Sequence, residues 1–248
     1  MTLHDNPDAA PDMPLFMATL PAVELAPVTA PRSLRAVILD SGDKNLDDED
    51  LLALLLSGIE PPDTAQRIAS RLLAAFRTAS RTLATPPDRL RRIAGIGAAH
   101  AALLKTAEAL ATRHARASLP ATIDPVLNDY NRVLAYCRTL AGHRPIEELH
   151  VFYLDTKNRL LLDERHQHGS VNHTPLYPRE VCIRALDTGA TAIIVFHNHP
   201  SGDPSPSRAD IEMTNRLRDT LKHIGVTLHD HLIVTASDSF SFRHKGLL

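Results

Sequence analysis

Residues 197–210, His-Asn-His-Pro-Ser-Gly-Asp-Pro-Ser-Pro-Ser-Arg-Ala-Asp, bring two imidazoles and a carboxylate close together in the chain. They follow the apolar run Ala-Thr-Ala-Ile-Ile-Val-Phe at 190–196, which has the pattern of a buried strand. Side chains at i and i+2 of an extended segment point to the same side, so His197 and His199 face one volume at the strand end. The loop of Pro, Gly and Ser then turns the chain, and a helix is expected to begin near Ser207. Ser207 and Asp210 are three apart and share a face of that helix. If the helix start faces the strand end, Asp210 completes a His-His-Asp set of metal ligands. Three protein ligands with one position left for water is the arrangement of a catalytic zinc, not a structural one. Iron or manganese would fit the same ligands, but this donor set in a water-hydrolysing site favours Zn2+. Each half of the pattern also has a plain structural explanation. The chain has 14 histidines, and Ser-x-x-Asp ahead of an apolar run is a helix capping box. It is the combination, in one strand–loop–helix context, that points to a metal.

Such a site needs a sheet and helices to hold it, and the C-terminal half has the pattern for both. Strands are expected over 148–155, 159–167, 190–196 and 227–235, and helices over 125–142, 178–189 and 207–225. A mixture of strands and helices in one half indicates a single α/β or α+β domain. The 248 residues leave room for a second, smaller unit. From about residue 32 to 118 the pattern is helical. An acidic start precedes a leucine-rich stretch ended by Ser57-Gly58, and Ala65, Ile68, Leu72 and Phe76 fall on one helical face. Residues 1–31 carry repeated prolines and no sustained period, the composition of a flexible leader. The expected organisation is α+β: a leader over 1–31, a helical domain over 32–118, a linker near 119–124, and a mixed sheet flanked by helices within 119–248.

Composition narrows the class of protein. A formal net charge of −2 argues against coating nucleic acid or membrane by bulk electrostatics. No apolar run is long enough to span a bilayer, and the acidic N-terminus does not have the form of a secretory signal. The two cysteines, Cys137 and Cys182, form no C-x-x-C motif and are expected as small buried hydrophobes in a reducing cytoplasm.

Residues 90–110, Leu-Arg-Arg-Ile-Ala-Gly-Ile-Gly followed by an alanine- and leucine-rich stretch, resemble a helix-hairpin-helix element, expected as two short helices around Gly95-Ile96-Gly97. Gly95 and Gly97 would permit a tight turn and leave backbone amides free to hold a DNA phosphate, with Arg91 and Arg92 adding charge. The competing explanation is an ordinary helix–helix turn. His100 stands where such hairpins commonly carry a lysine, and residues 57–65 hold no lysine or arginine.

His197-x-His199-Pro200 followed by Ser207-x-x-Asp210 resembles the JAMM motif of the MPN (JAB) metalloproteases. The neighbouring stretches at 169–186, 197–210 and 228–234 look like the RadC branch, and the resemblance extends from about residue 32 onward. It implies a single zinc held by His197, His199 and Asp210 with water as fourth ligand. It further implies a glutamate acting as general base on that water, Ser207 hydrogen-bonded to the developing oxyanion, and a peptide or isopeptide substrate. Alignment of the strand Ile-Glu-Glu-Leu-His-Val-Phe-Tyr-Leu-Asp with the family places Glu147 in the role of base. Glu148, sent to the other face by strand alternation, and Glu180, at a helix start, are the alternatives. Asp230 and His231 are candidates to orient a zinc-bound imidazole through its free ring N–H. The family's association with DNA repair implies a second activity, non-specific DNA binding through the hairpin, that can coexist with hydrolysis.

Overall fold

The computed structural model describes residues 33–123, 130–168 and 177–248; the leader expected over 1–31 lies outside them. The helical region opens with α1 (Leu34–Ser41), α2 (Asp48–Leu56) and α3 (Pro62–Phe76). Asp47 caps α2, accepting from the Asp50 amide at 2.9 Å, and Pro62 starts α3 where a missing N–H costs nothing. Then come α4 (Ala79–Ala84), α5 (Pro87–Leu90) and α6 (Ala98–Ala117). Leu52, Leu56, Ile68, Leu72, Leu90 and Leu104 form the buried core of this region. The two helices expected around Gly95-Ile96-Gly97 differ greatly in length. α5 is a single turn, whereas α6 runs 20 residues.

That length gives α6 two attachments. Its first half packs Leu103 and Leu104 into the helical core. Farther along, Glu108 pairs with Arg144 at 2.9 Å, and Arg116 pairs with Asp163 at 2.8 Å. The stretch expected as a linker is also docked: Leu119 and Ile123 pack against the sheet, and the Ile123 amide donates to the Asn158 carbonyl at 2.7 Å.

The second half contains α7 (Tyr130–Cys137), continued by a π turn over Arg138–Gly142, then β1 (Glu148–Leu154), β2 (Leu160–His168), α8 (Pro178–Thr188), β3 (Ala192–Asn198), α9 (Arg208–His223), β4 (Thr227–Val234) and β5 (Ser239–Ser241). The sheet order is β2-β1-β3-β4-β5. Only the β3–β4 pair is parallel, with α9 as its crossover, so the sheet is mixed and the fold is α+β. Strand alternation divides the core in two. Leu149, Val151, Ile193 and Val195 pack with Val181 of α8 and Leu217 and Leu221 of α9. Phe152, Ile194, Phe196 and Leu232 pack on the opposite face with Val133 and Tyr136 of α7. Cys137 and Cys182 are free thiols, both buried. No helix among the described residues is long and apolar enough to cross a membrane.

A candidate metal centre at the end of β3

His197 lies on the α8/α9 face of β3, in phase with Ile193 and Val195. The strand ends one residue later, and His199 keeps the same direction because its amide still donates to the Val234 carbonyl at 3.0 Å. The loop turns at Gly202, whose φ of +90° suits a residue without Cβ. α9 then starts on a capping box: the Ser207 oxygen accepts from the Asp210 amide at 3.2 Å, and Asp210 Oδ2 accepts from the Ser207 amide at 2.7 Å. A carboxylate in this first turn also suits the helix dipole. Glu147 immediately precedes β1, in phase with Leu149 and therefore on the same face as His197, to which Leu149 is paired.

These four residues each present a ligand atom within 4.8 Å of the other three. His197 Nε2 stands 2.9 Å from His199 Nε2 and 3.5 Å from Asp210 Oδ1, and His199 Nε2 is 3.8 Å from Asp210 Oδ2. Donors at about 2.0–2.1 Å from a tetrahedral zinc are about 3.3 Å apart, so the spacing of the two imidazoles and the carboxylate brackets what zinc requires. Glu147 Oε1 lies 3.9 Å from His197 Nε2.

The tautomers of both imidazoles follow from their outer partners. Thr214 Oγ1 donates its only hydrogen to the Asp210 carbonyl at 2.5 Å, so at 2.6 Å it must accept from His231 Nδ1. A neutral His231 then has a bare Nε2, which accepts from His197 Nδ1 at 2.8 Å. That leaves His197 Nε2 with an exposed lone pair. His199 Nδ1 donates to the Asp203 carbonyl at 2.8 Å, which likewise leaves its Nε2 bare. Burial is the main cause that holds the pKa of both His197 and His231 below the ordinary histidine range, so neutrality is their resting state. Two lone pairs thus face each other across 2.9 Å beside a carboxylate, an arrangement that repels itself unless a cation sits among them.

Asp230 takes a different place from the one expected. Alternation from Leu228, which packs on the α9 face, would turn Asp230 toward the site. A β-bulge between the Leu228 and Asp230 pairings inserts His229 and reverses the phase. His231 consequently faces His197, its ring stacked on Phe242 with centroids 4.6 Å apart. Asp230 points to the other side, where it accepts from Tyr130 at 2.8 Å, Ser241 at 2.5 Å and the Arg243 amide at 3.0 Å. Both residues also lie well inside β4 and not at its start.

The three glutamates separate clearly. Glu148 is buried on the opposite face, near Arg144, Arg165 and His150. Burial raises its pKa, but the His150 bond and the two guanidiniums bring it to a net position below the ordinary carboxylate range. Glu180 sits in the first turn of α8 and is not one of the residues that cluster with the two histidines. Asn198, which points away from the ligands, brackets Glu147: its Oδ1 accepts from the Glu148 amide at 2.8 Å and its Nδ2 donates to the Ile146 carbonyl at 3.0 Å. A cavity of about 340 Å3 opens here, lined by Pro145, Ile146, Glu147, His199, Pro200 and Ser201.

The turn at Gly95 and Gly97 is exposed, and one of its amides is already engaged. Gly95 does have a positive φ, +92°. The Gly97 amide, however, is already bound to His100 Nδ1 at 3.1 Å, and His100 Nε2 pairs with Glu60 at 3.0 Å. His100 is therefore buried and engaged, a use that its place in the turn did not reveal. Arg91 and Arg92 are exposed.

Comparison with known proteins agrees with this architecture. The profile of the RadC-like JAB domain matches residues 127–247. A UPF0758 protein of Rhodobacter capsulatus is 44% identical over 215 residues, which is 87% of this chain and 100% of that protein. A second UPF0758 protein, from Ruegeria pomeroyi, is 43% identical over 217 residues, 88% of this chain and 96% of its own length. With a relative this similar along its full length, and with the JAB profile covering the strands and helices that carry the cluster, the chain belongs to the RadC family.

Proposed function

We propose that the JAB domain of this protein is a zinc-dependent hydrolase of amide bonds in a peptide or isopeptide substrate. The observation that carries this reading is the pair of bare Nε2 atoms of His197 and His199 facing each other next to Asp210. A zinc ion held there by these three residues would lower the pKa of a water from about 15.7 toward about 7 and polarise a carbonyl. His231 and the Asp203 carbonyl keep both imidazoles in the tautomer that presents Nε2. Glu147, aimed into the same cluster from the start of β1, takes the proton from the attacking water and passes it to the leaving nitrogen. Asn198 positions Glu147 by fixing the backbone on both sides of it. Ser207 is assigned to the oxyanion that forms as the carbonyl turns tetrahedral. Its hydroxyl now donates to Asp210 Oδ2 at 2.6 Å, so that work requires the hydroxyl to rotate away from Asp210.

The test is a Glu147→Gln variant loaded with zinc alongside the wild type and offered a panel of fluorogenic peptide and isopeptide substrates. The variant is expected to hold as much zinc as the wild type while turnover falls by about 10²–10⁴-fold. Equal turnover in the two would remove Glu147 from the mechanism, and loss of zinc would make it a ligand instead.

A further inference from the structure

The His199–Gly202 turn also borders a second cavity, of about 250 Å3, whose lining does not include Glu147. Its other lining comes from the helical region and includes Arg77, Arg81 and Arg89. No Asp or Glu lines it among the described residues. A fourth arginine there, Arg144, is already paired with Glu108 at 2.9 Å. The other three are exposed and make no side-chain ion pair among the described residues. Some exposed arginines elsewhere find carboxylates, as Arg184 does with Glu164 and Arg208 with Glu212, each at 2.7 Å, and others, such as Arg67, Arg91 and Arg179, do not, so what marks these three is their convergence on one cavity. The chain has 29 acidic residues against 27 basic ones, so three uncompensated guanidiniums around one cavity run against its overall charge.

Arg77 adds a second observation. It ends α3 with φ +77°, a conformation that glycine adopts without strain and that an arginine does not. His143, also in the cavity, is held below the ordinary histidine pKa by burial and by Arg81, so the positive charge there is carried by the arginines. The cavity adjoins the candidate site: His199, Pro200 and Pro145 line this cavity and the one containing Glu147 alike. A peptide lying across Glu147 and His199 would run on into the arginines.

We propose that this cleft is a substrate subsite for carboxylates, so that the hydrolase acts on peptides with an acidic stretch beside the scissile bond. The proposal rests on the hydrolase reading and gives it a substrate class. A guanidinium matches a carboxylate in two parallel hydrogen bonds, which makes arginine the apt residue for this work.

The experiment uses full-length, zinc-loaded protein carrying Glu147→Gln, so that bound peptide stays intact. Fluorescein-labelled hexaglutamate and hexaglutamine peptides are titrated by anisotropy. Zinc is measured in the same samples. Hexaglutamate is expected to bind about tenfold more tightly than hexaglutamine, the combined effect of three modest exposed pairings. Arg77→Ala/Arg81→Ala/Arg89→Ala should abolish that preference, and Arg81→Glu alone should reduce it. Equal binding of the two peptides, or a preference that survives the triple variant, overturns the subsite. A labelled single-stranded oligonucleotide that binds more tightly than hexaglutamate, and is lost in the triple variant, overturns it in favour of nucleic acid. Zinc present without a peptide preference rejects the subsite alone. A preference without zinc rejects the hydrolase reading alone.

Discussion

Helices α6 and α9 start in parallel ways, each with a small N-cap residue whose amide is bound by the side chain three positions on. In α6 that side chain is His100, bound to Gly97; in α9 it is Asp210, bound to Ser207. The two ends differ in what remains after the cap is made. His100 spends its second nitrogen on Glu60 and is buried, so nothing is left over. Asp210 has a second oxygen 3.5 Å from His197 Nε2, which has no hydrogen to give it. A histidine or an acid at a helix start is thus uninformative in itself. What distinguishes a reactive site is a group of acceptors that their surroundings have left without donors.

The sharpest break in this comparison comes from Asp210→Ala. Losing the carboxylate should abolish zinc binding and turnover together, since two imidazoles alone hold the ion poorly. Metal analysis and the fluorogenic panel would check both, and a variant that kept its zinc would contradict the ligand set. A smaller effect is expected from Thr214→Val, which touches no ligand imidazole. Without the hydroxyl, His231 loses the partner that fixes its tautomer, and zinc affinity should fall about 10–100-fold by competition with a chelator. His100→Ala provides the contrast at α6. It removes a cap and a hydrogen bond to Glu60, so stability should drop by about 1–2 kcal/mol in chemical denaturation with zinc content unchanged.

Acidification tests the same difference through protons. His197 and His231 have folded pKa values below the unfolded value of about 6.5, so above that pH they contribute no pH dependence. Below it the unfolded chain takes up protons that the folded metal-free protein refuses, and stability falls. The limit is about 1.4 kcal/mol per pH unit for each histidine. Melting temperatures of metal-free protein between pH 7.5 and 5.5 should decline, with a shallower slope in His231→Gln. An equal slope would mean that His231 is protonated in the folded state.

Local pattern made part of this legible. The i, i+2 spacing of His197 and His199 on a strand and the start of α9 at Ser207 were both visible in the chain, as was the placing of Glu147 and Glu148 on opposite faces. So were the α+β class and most of the helices. What escaped was whatever depends on an irregularity or on a distant partner. One bulged residue in β4 exchanges the directions of Asp230 and His231, and alternation has no means of announcing it. Asn198 was legible as pointing away from the ligands, but its two bonds reach 50 and 52 positions back along the chain. Thr214 lies four residues after Asp210 on the same helix, a spacing that could have been noticed. The three-residue strand β5 is too short for any period to register. The arginine cleft is assembled from the end of α3, from α4 and α5, from the segment 142–145 and from the His199 loop, which only tertiary packing brings together.

Zinc content is the most direct measurement of the central claim that His197, His199 and Asp210 form a metal centre. Tag-free wild-type protein, His199→Ala and His100→Ala would be loaded with zinc, washed and analysed by mass spectrometry, with circular dichroism to confirm folding. About one zinc per chain is expected in the wild type and in His100→Ala, and none in His199→Ala. A folded wild type that retains no metal, or a His199→Ala variant that retains as much as the wild type, would contradict it.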